Sequence, residues 1–124
     1  MINLPIFRAK RLYSDEYVFG VPRQDSKGMY EMIIDVVEDG IAGVIQRYIE
    51  VDTISIHFPD MLDSQGNKIF ASLQEDGKGG DIMQDDEYFG IAKYKDCQFV
   101  VEYEDCIDNI DNGNFEVIGI QQWS

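Results

Sequence analysis

MYEMIIDVVEDGIAGVIQRYIEV, residues 29–51, is the stretch on which the fold class turns. Ile33, Val36, Val37, Ile41, Val44, Ile45, Tyr48 and Ile49 fall close to one stripe of a helix. Asp39-Gly40 and Gly43 interrupt that stripe, and dense β-branched side chains lose χ1 freedom in a helix. Asp-Gly between two β-branched runs is instead a hairpin signal, because a two-residue turn needs positive φ at both central positions. The stretch is read as a hairpin, with a helix as the alternative.

Strand signals continue on both sides. Residues 6–13 put Arg8 and Lys10 on a basic alternate face, and Ser14-Asp15-Glu16 breaks the run. Residues 17–21 read as a second strand ended by Pro22, and 24–28 as a turn. On the far side, Ile54, Ile56 and Phe58 alternate with Thr53, Ser55 and His57, which predicts a half-buried strand ending at Pro59. Residues 63–68 form a polar turn into Ile69-Phe70, and 75–81 a flexible, glycine-rich loop. Residues 88–94 and 98–103 are two strands joined by a tight turn at Lys95-Asp96, and 115–120 is the closing strand. Many short strands at close spacing predict a mostly β domain, a small barrel or a sandwich.

The 124 residues suffice for one domain with a real core, and two would each be marginal. A hydrophobic fraction of 44% argues against disorder. The net charge is −14, unevenly spread. Residues 1–28 carry five basic and three acidic residues, a balance of +2, whereas 29–124 carry five basic and twenty-one acidic, a balance of −16. Such a field repels phosphate, so neither nucleic acid nor an anionic membrane is an expected partner; a basic protein or divalent cations are. Acid also keeps a small protein soluble. Residues 1–12 lack a signal-peptide pattern, since Arg8, Lys10 and Arg11 follow the short apolar stretch instead of preceding it. No apolar run approaches the roughly 20 residues that span a bilayer. Cys97 and Cys106 are too far apart for a CxxC pair and too few for a disulfide framework, which predicts a reduced, cytoplasmic protein.

Motifs for chemistry are incomplete. His57 is the sole histidine, and Ser55 shares its strand face, but no nucleophile-elbow glycines flank either. The loop 105–114 is rich in oxygen ligands, yet with Asp108 at position one an EF-hand would need a ligand at Ile110 and an acid at Gly119. Gly77-Lys78-Gly79-Gly80 fails as a phosphate loop: Ser72 replaces its first glycine, Gly79 its Ser/Thr, and Glu75, Asp76 and Asp81 repel phosphate. No cofactor is expected.

Four segments in order resemble the YopX family of phage and prophage proteins. Ile6-Phe7-Arg8-Ala9 is similar to its lysine-phenylalanine-arginine-alanine opening, and residues 61–70 to its central turn and strand. Gly80-Asp81-Ile82 matches its glycine-aspartate-isoleucine, and Phe115-Glu116-Val117-Ile118-Gly119 its C-terminal strand. The chain departs from that pattern by an insertion at about residues 71–79, by Met61-Leu62 in place of a leucine-lysine, by Ile120 for an asparagine, and by a missing proline-containing tail. The resemblance implies one domain over 1–124, with N-terminal strands and a hairpin in 1–60 and an SH3-like barrel in 61–124. It further implies phage or prophage origin in the bacterial cytoplasm. The family has no established activity, so Gly66, Gly80, Asp81 and Gly119 carry over as structural positions only. Asp81 is expected to bond nearby backbone.

The expected function is a non-catalytic module that binds a protein, such as a host protein, through aromatic and acidic side chains. Candidate surface residues are Asp85, Asp86, Glu87, Tyr88, Tyr94, Glu102 and Glu104. Alternatives are an acidic DNA mimic, a carboxylate–metal hydrolase using Asp105, Asp108 or Asp111, and self-association through a free strand edge.

Overall fold

The computed structural model describes residues 5–85, 88–95, 98–103, 107–109 and 115–121. Eleven strands run through these residues: β1 (Ile6–Lys10), β2 (Tyr17–Gln24), β3 (Tyr30–Glu38), β4 (Ile41–Tyr48), β5 (Ser55–His57), β6 (Ala71–Ser72), β7 (Asp81–Asp85), β8 (Tyr88–Lys95), β9 (Gln98–Glu102), β10 (Ile107–Asn109) and β11 (Glu116–Ile120). One 3-10 turn, Val51–Thr53, precedes β5. No α-helix occurs among the described residues, and no helix there is long and apolar enough to cross a membrane.

Residues 29–51 are the hairpin. Asp39 (φ 52°) and Gly40 (φ 77°) form its two-residue turn, and β3 pairs with β4 from Glu38–Ile41 down to Glu31–Tyr48. The turn residues supply the positive φ values that match the twist of the flanking strands, which is why the helix-like stripe loses.

The strands form one sheet in the order β10-β9-β8-β6-β5-β1-β2-β3-β4, with β7 pairing β8 and β11 pairing β7. The path ends at β10 and at β4, so the sheet is open and does not close into the barrel that the sequence suggested. Most pairs are antiparallel; β6 meets β8 in parallel at Ser72–Lys93.

Pro22 does not end its strand. β2 pairs with β1 only through Tyr17–Gly20, then with β3 from Val21 to Gln24. The Asp25 N–H bonds the Met29 carbonyl, and by alternation Arg23 and Val21 also face β3 with their backbone groups. Pro22 therefore stands where no donor is needed, on a side that β1 has already left. A methyl at Gly20 would lie 2.1 Å from the Ile33 carbonyl oxygen, so the strand switches partner at a point that only glycine permits.

Two apolar clusters hold the sheet. One gathers Met61, Ile69, Ala71, Met83, Ala92, Val101 and Phe115, with Phe99, Tyr103 and Val117 against it. The other gathers Ala9, Val18, Met32 and Ile49, with Phe7, Ile34 and Ile54. β5 lies between β1 and β6, and all three of its residues are buried. This corrects the reading of a half-buried strand, because both of its faces are covered.

The turn at 63–68 is as expected and also ties to β11. The Asp63 carboxylate accepts from the N–H groups of Gln65 (2.9 Å), Asn67 (2.7 Å) and Val117 (2.9 Å). Burial opposes its charge, but these bonds outweigh it and hold the carboxyl below its ordinary value.

Candidate functional site

Alternation sets the two faces of β8. Phe89, Ile91, Lys93 and Lys95 point to one side, Gly90, Ala92 and Tyr94 to the other. On β9, Glu102 stands opposite Ile91 and Val100 opposite Lys93, while Val101 opposes Ala92 and Phe99 opposes Tyr94. Ala92 and Val101 are fully buried, so the second side belongs to the core. Toward its end that side emerges as a chain of rings, Tyr94 on Phe99 at 4.8 Å and Phe99 on Phe58 at 5.1 Å.

The first side is covered by the glycine-rich segment, which is packed and not loose. Gly77, Gly79 and Gly80 are buried. A methyl on Gly77 would stand 2.9 Å from Ile91 Cγ2, and one on Gly79 would stand 2.1 Å from the Thr53 carbonyl oxygen. The glycines are there for close approach. Beneath them Lys93, 5% exposed, donates from Nζ to Glu102 Oε1 at 2.8 Å and to the Glu75 carbonyl.

Between this cover and strands β7, β8 and β9 lies a cavity of about 370 Å³, lined among others by Asp76, Phe89, Ile91, Lys93, Glu102 and Tyr103. Phe89 is 57% exposed at its mouth. Glu102 Oε2 is buried without a hydrogen-bond partner among the described residues, and Lys95 Nζ stands 3.6 Å from it as an ion pair. The bond from Lys93, then the charges of Lys93 and Lys95, hold the Glu102 carboxyl below its ordinary value against the cost of burial. The cavity thus combines apolar and aromatic walls with an ionised carboxylate that has accepting capacity left.

A second polar group lies deeper. Arg8 Nη2 donates to the Gly79 carbonyl at 2.8 Å and sits 2.8 Å from Asp81 Oδ1. Its guanidinium stacks on Phe70, 4.5 Å from the ring centroid, and faces Tyr17 at 5.6 Å. Asp81 Oδ2 accepts from the Phe70 N–H at 2.8 Å, the backbone bond expected of this residue. Burial pushes the Asp81 carboxyl above its ordinary value in spite of the Arg8 charge. Arg8 is therefore not on an exposed basic face; Lys10 of the same alternation pairs with Glu50 at 2.7 Å.

His57 and Ser55 do not form a relay. His57 is 2% exposed, and its Nδ1–H donates to the Ile69 carbonyl at 3.0 Å while the ring packs on Phe70. Ser55 Oγ turns to the Arg8 carbonyl at 3.5 Å. The polar, water-facing place read from alternation is corrected, since β5 has no open face. Among the described residues, no three His, Cys, Asp or Glu side chains gather as a metal-ligand set. Asp108 lies on β10 opposite Val101, and Asp105 and Asp111 fall outside the described residues.

Of the candidate surface residues, the structure brings Asp85 opposite Tyr88 at the end of the β7–β8 pair. Tyr94 and Glu102 lie on opposite faces, and Tyr94 lines a separate cleft of about 310 Å³ with Leu73, Glu75 and Lys95. They do not share one surface. Asp86, Glu87 and Glu104 lie outside the described residues, as do Cys97 and Cys106. Phe89, Lys93 and Tyr103 were missed, although the alternation in YFGIAKYK puts Phe89, Ile91 and Lys93 on one face. Comparison with known proteins finds no matching family model, no matching curated protein and no matching solved structure.

Proposed function

We propose that this chain is a non-catalytic protein-binding module whose cavity beside β8 and β9 receives a cationic side chain, arginine or lysine, from a partner protein. The observation that carries the reading is Glu102 Oε2, a buried acceptor without a hydrogen bond among the described residues, on the lining of a cavity walled by Phe89, Ile91 and Tyr103. Lys93 is committed to Glu102 Oε1 and to the Glu75 carbonyl, and Lys95 stands 3.6 Å from Oε2, which leaves that oxygen accepting capacity for an incoming donor. Aromatic faces add attraction for a cation. The net charge of −14 steers basic partners toward the whole molecule and speeds encounter. The YopX-type resemblance, which brings no catalytic residues, supports the same reading. So does the use of Ser55 and His57 in backbone bonds.

The test is a two-dimensional NMR titration with a short arginine-containing peptide at moderate salt. Shifts should concentrate on the amides of Phe89, Ile91 and Glu102, and Glu102→Gln should weaken binding at least about tenfold, the scale of one charge-assisted bond. Shifts spread evenly over the acidic surface, or binding unchanged in Glu102→Gln, would sink the reading.

A further inference from the structure

We infer that two copies of this chain pair edge to edge through β4, in antiparallel register about Val44. This does not rest on the cavity beside β8.

β4 is the terminal strand of the sheet, and among the described residues its outer edge is covered only at the C-terminal end, where Arg11 bridges Ile49. The phase of the hairpin decides which residues face that edge. The two-residue turn closes on Glu38 and Ile41, and the Ile49 N–H bonds the Tyr30 carbonyl at 3.1 Å. Odd-numbered residues of β4 therefore bond β3, and Ala42, Val44, Gln46 and Tyr48 turn their backbone groups outward. The Tyr48 carbonyl is taken by the Leu12 N–H, and the Gln46 carbonyl by Arg47 Nη1. No described residue bonds the outward groups of Ala42 and Val44.

Three features select a second copy as the occupant. The outward set is self-complementary: a two-fold axis at Val44 puts Val44 against Val44 and Ala42 against Gln46, each an outward-facing pair. The side chains there are apolar and exposed, Val37 at 75%, Ile41 at 73% and Val44 at 59%. The charge also fits. β4 carries Arg47 and no carboxylate, in a chain of net charge −14, whereas β3 behind it carries Glu31, Asp35 and Glu38. In the paired register Arg47 falls in one row with Ile41 and Glu38 of the second copy, on one face. The two Asp35 residues end three strand spacings apart, roughly 14 Å, beyond the screening length in about 0.1 M salt. From Ile41 to Gln46 this edge has no proline, no bulge and no charged side chain, and the cover given by residues 10–12 begins only at Tyr48.

Sedimentation of the full chain over a range of concentrations tests this. The mass should rise from 14.2 kDa toward twice that value, and more steeply at higher salt, which screens the repulsion between two acidic copies. Val44→Lys and Val44→Pro should each weaken association at least about tenfold with an unchanged thermal transition, because the Val44 N–H is not used by β3. A covalent readout does not depend on how those variants fold. In a Cys97→Ser, Cys106→Ser background, V44C should cross-link under mild oxidation, because a bonded antiparallel pair holds its Cα atoms about 5.5 Å apart. I41C, which faces Arg47 of the second copy, should not. A mass that stays at 14.2 kDa throughout, a dimer indifferent to Val44→Lys and Val44→Pro, or V44C that fails to cross-link overturns the inference.

Discussion

Arg8 of β1 and Asp81 of β7 meet as an ion pair at 2.8 Å with both side chains almost wholly out of water. Asp81 Oδ1 lies within reach of the guanidinium but makes no hydrogen bond, and Arg8 Nε has no partner among the described residues. The pair links the first strand of the chain to a strand of the C-terminal half, across the middle of the sheet. Removing one partner leaves the other charge buried and alone. Arg8→Met or Asp81→Ala should each cost about 3–5 kcal/mol in urea unfolding. The double variant Arg8→Met/Asp81→Leu should lose clearly less than the sum of the two single losses.

His57 makes folding sensitive to mild acid. Burial lowers the pKa of its imidazole below the ordinary 6.5, so the folded state favours the neutral ring. Below 6.5 the unfolded chain binds the proton more readily, and stability falls as the pH drops from there toward the lower folded value. Thermal melts at pH 7.5 and pH 5.5 should differ more for the native chain than for His57→Asn. An equal difference would show that another group is responsible.

Gly79 and Gly43 should respond oppositely to alanine. Gly79 has φ 84°, and its added methyl would overlap the Thr53 carbonyl, so Gly79→Ala should cost about 2–4 kcal/mol. Nothing lies within 4 Å of a methyl on Gly43, in mid-strand, so Gly43→Ala should stabilise by about 0.5–1 kcal/mol. Chemical denaturation of the two variants checks both signs.

Asp63 should set the acid limit. Its carboxylate holds the N–H groups of Gln65, Asn67 and Val117, and Asp63→Ala would leave them without that acceptor, at a cost of about 2–4 kcal/mol. Because its folded pKa is depressed, its contribution is complete above the ordinary 3.8 and is lost as the pH falls through the lower folded value. Acid unfolding of the native chain should accordingly steepen below about pH 4, and the variant should lose that component.

Local signals were readable, and contacts between distant segments were not. Asp39-Gly40 announced the hairpin because the turn depends on two adjacent residues. The turn at Asp63–Asn67 was visible for the same reason, but its bond to Val117 was hidden. Alternation placed Arg8 and His57 toward water because it counts only one strand's own faces. It cannot register that β1 and β5 sit mid-sheet with cover on both sides. The glycines at 77–80 look like slack in a sequence, whereas here they allow backbone to come against Thr53 and Ile91. At the candidate site Glu102, expected on a binding surface, lines the cavity beside β8, and grouping it with Tyr94 ignored the register that puts them on opposite faces.

The place of β1 in the strand order bears on how the protein is made. β1 leaves the ribosome before the strands it pairs with and ends up between β2 and β5, with Arg8 waiting for Asp81. At about 5–20 residues per second the interval between those two residues is about 4–15 s of synthesis. Once Tyr48 is made the β2–β3–β4 meander has all its own pairings to hand, while the guanidinium keeps its hydration. β1 can join β2 early, so what waits is its other edge, and translation through residues 57–81 sets when Arg8 gains its counter-charge.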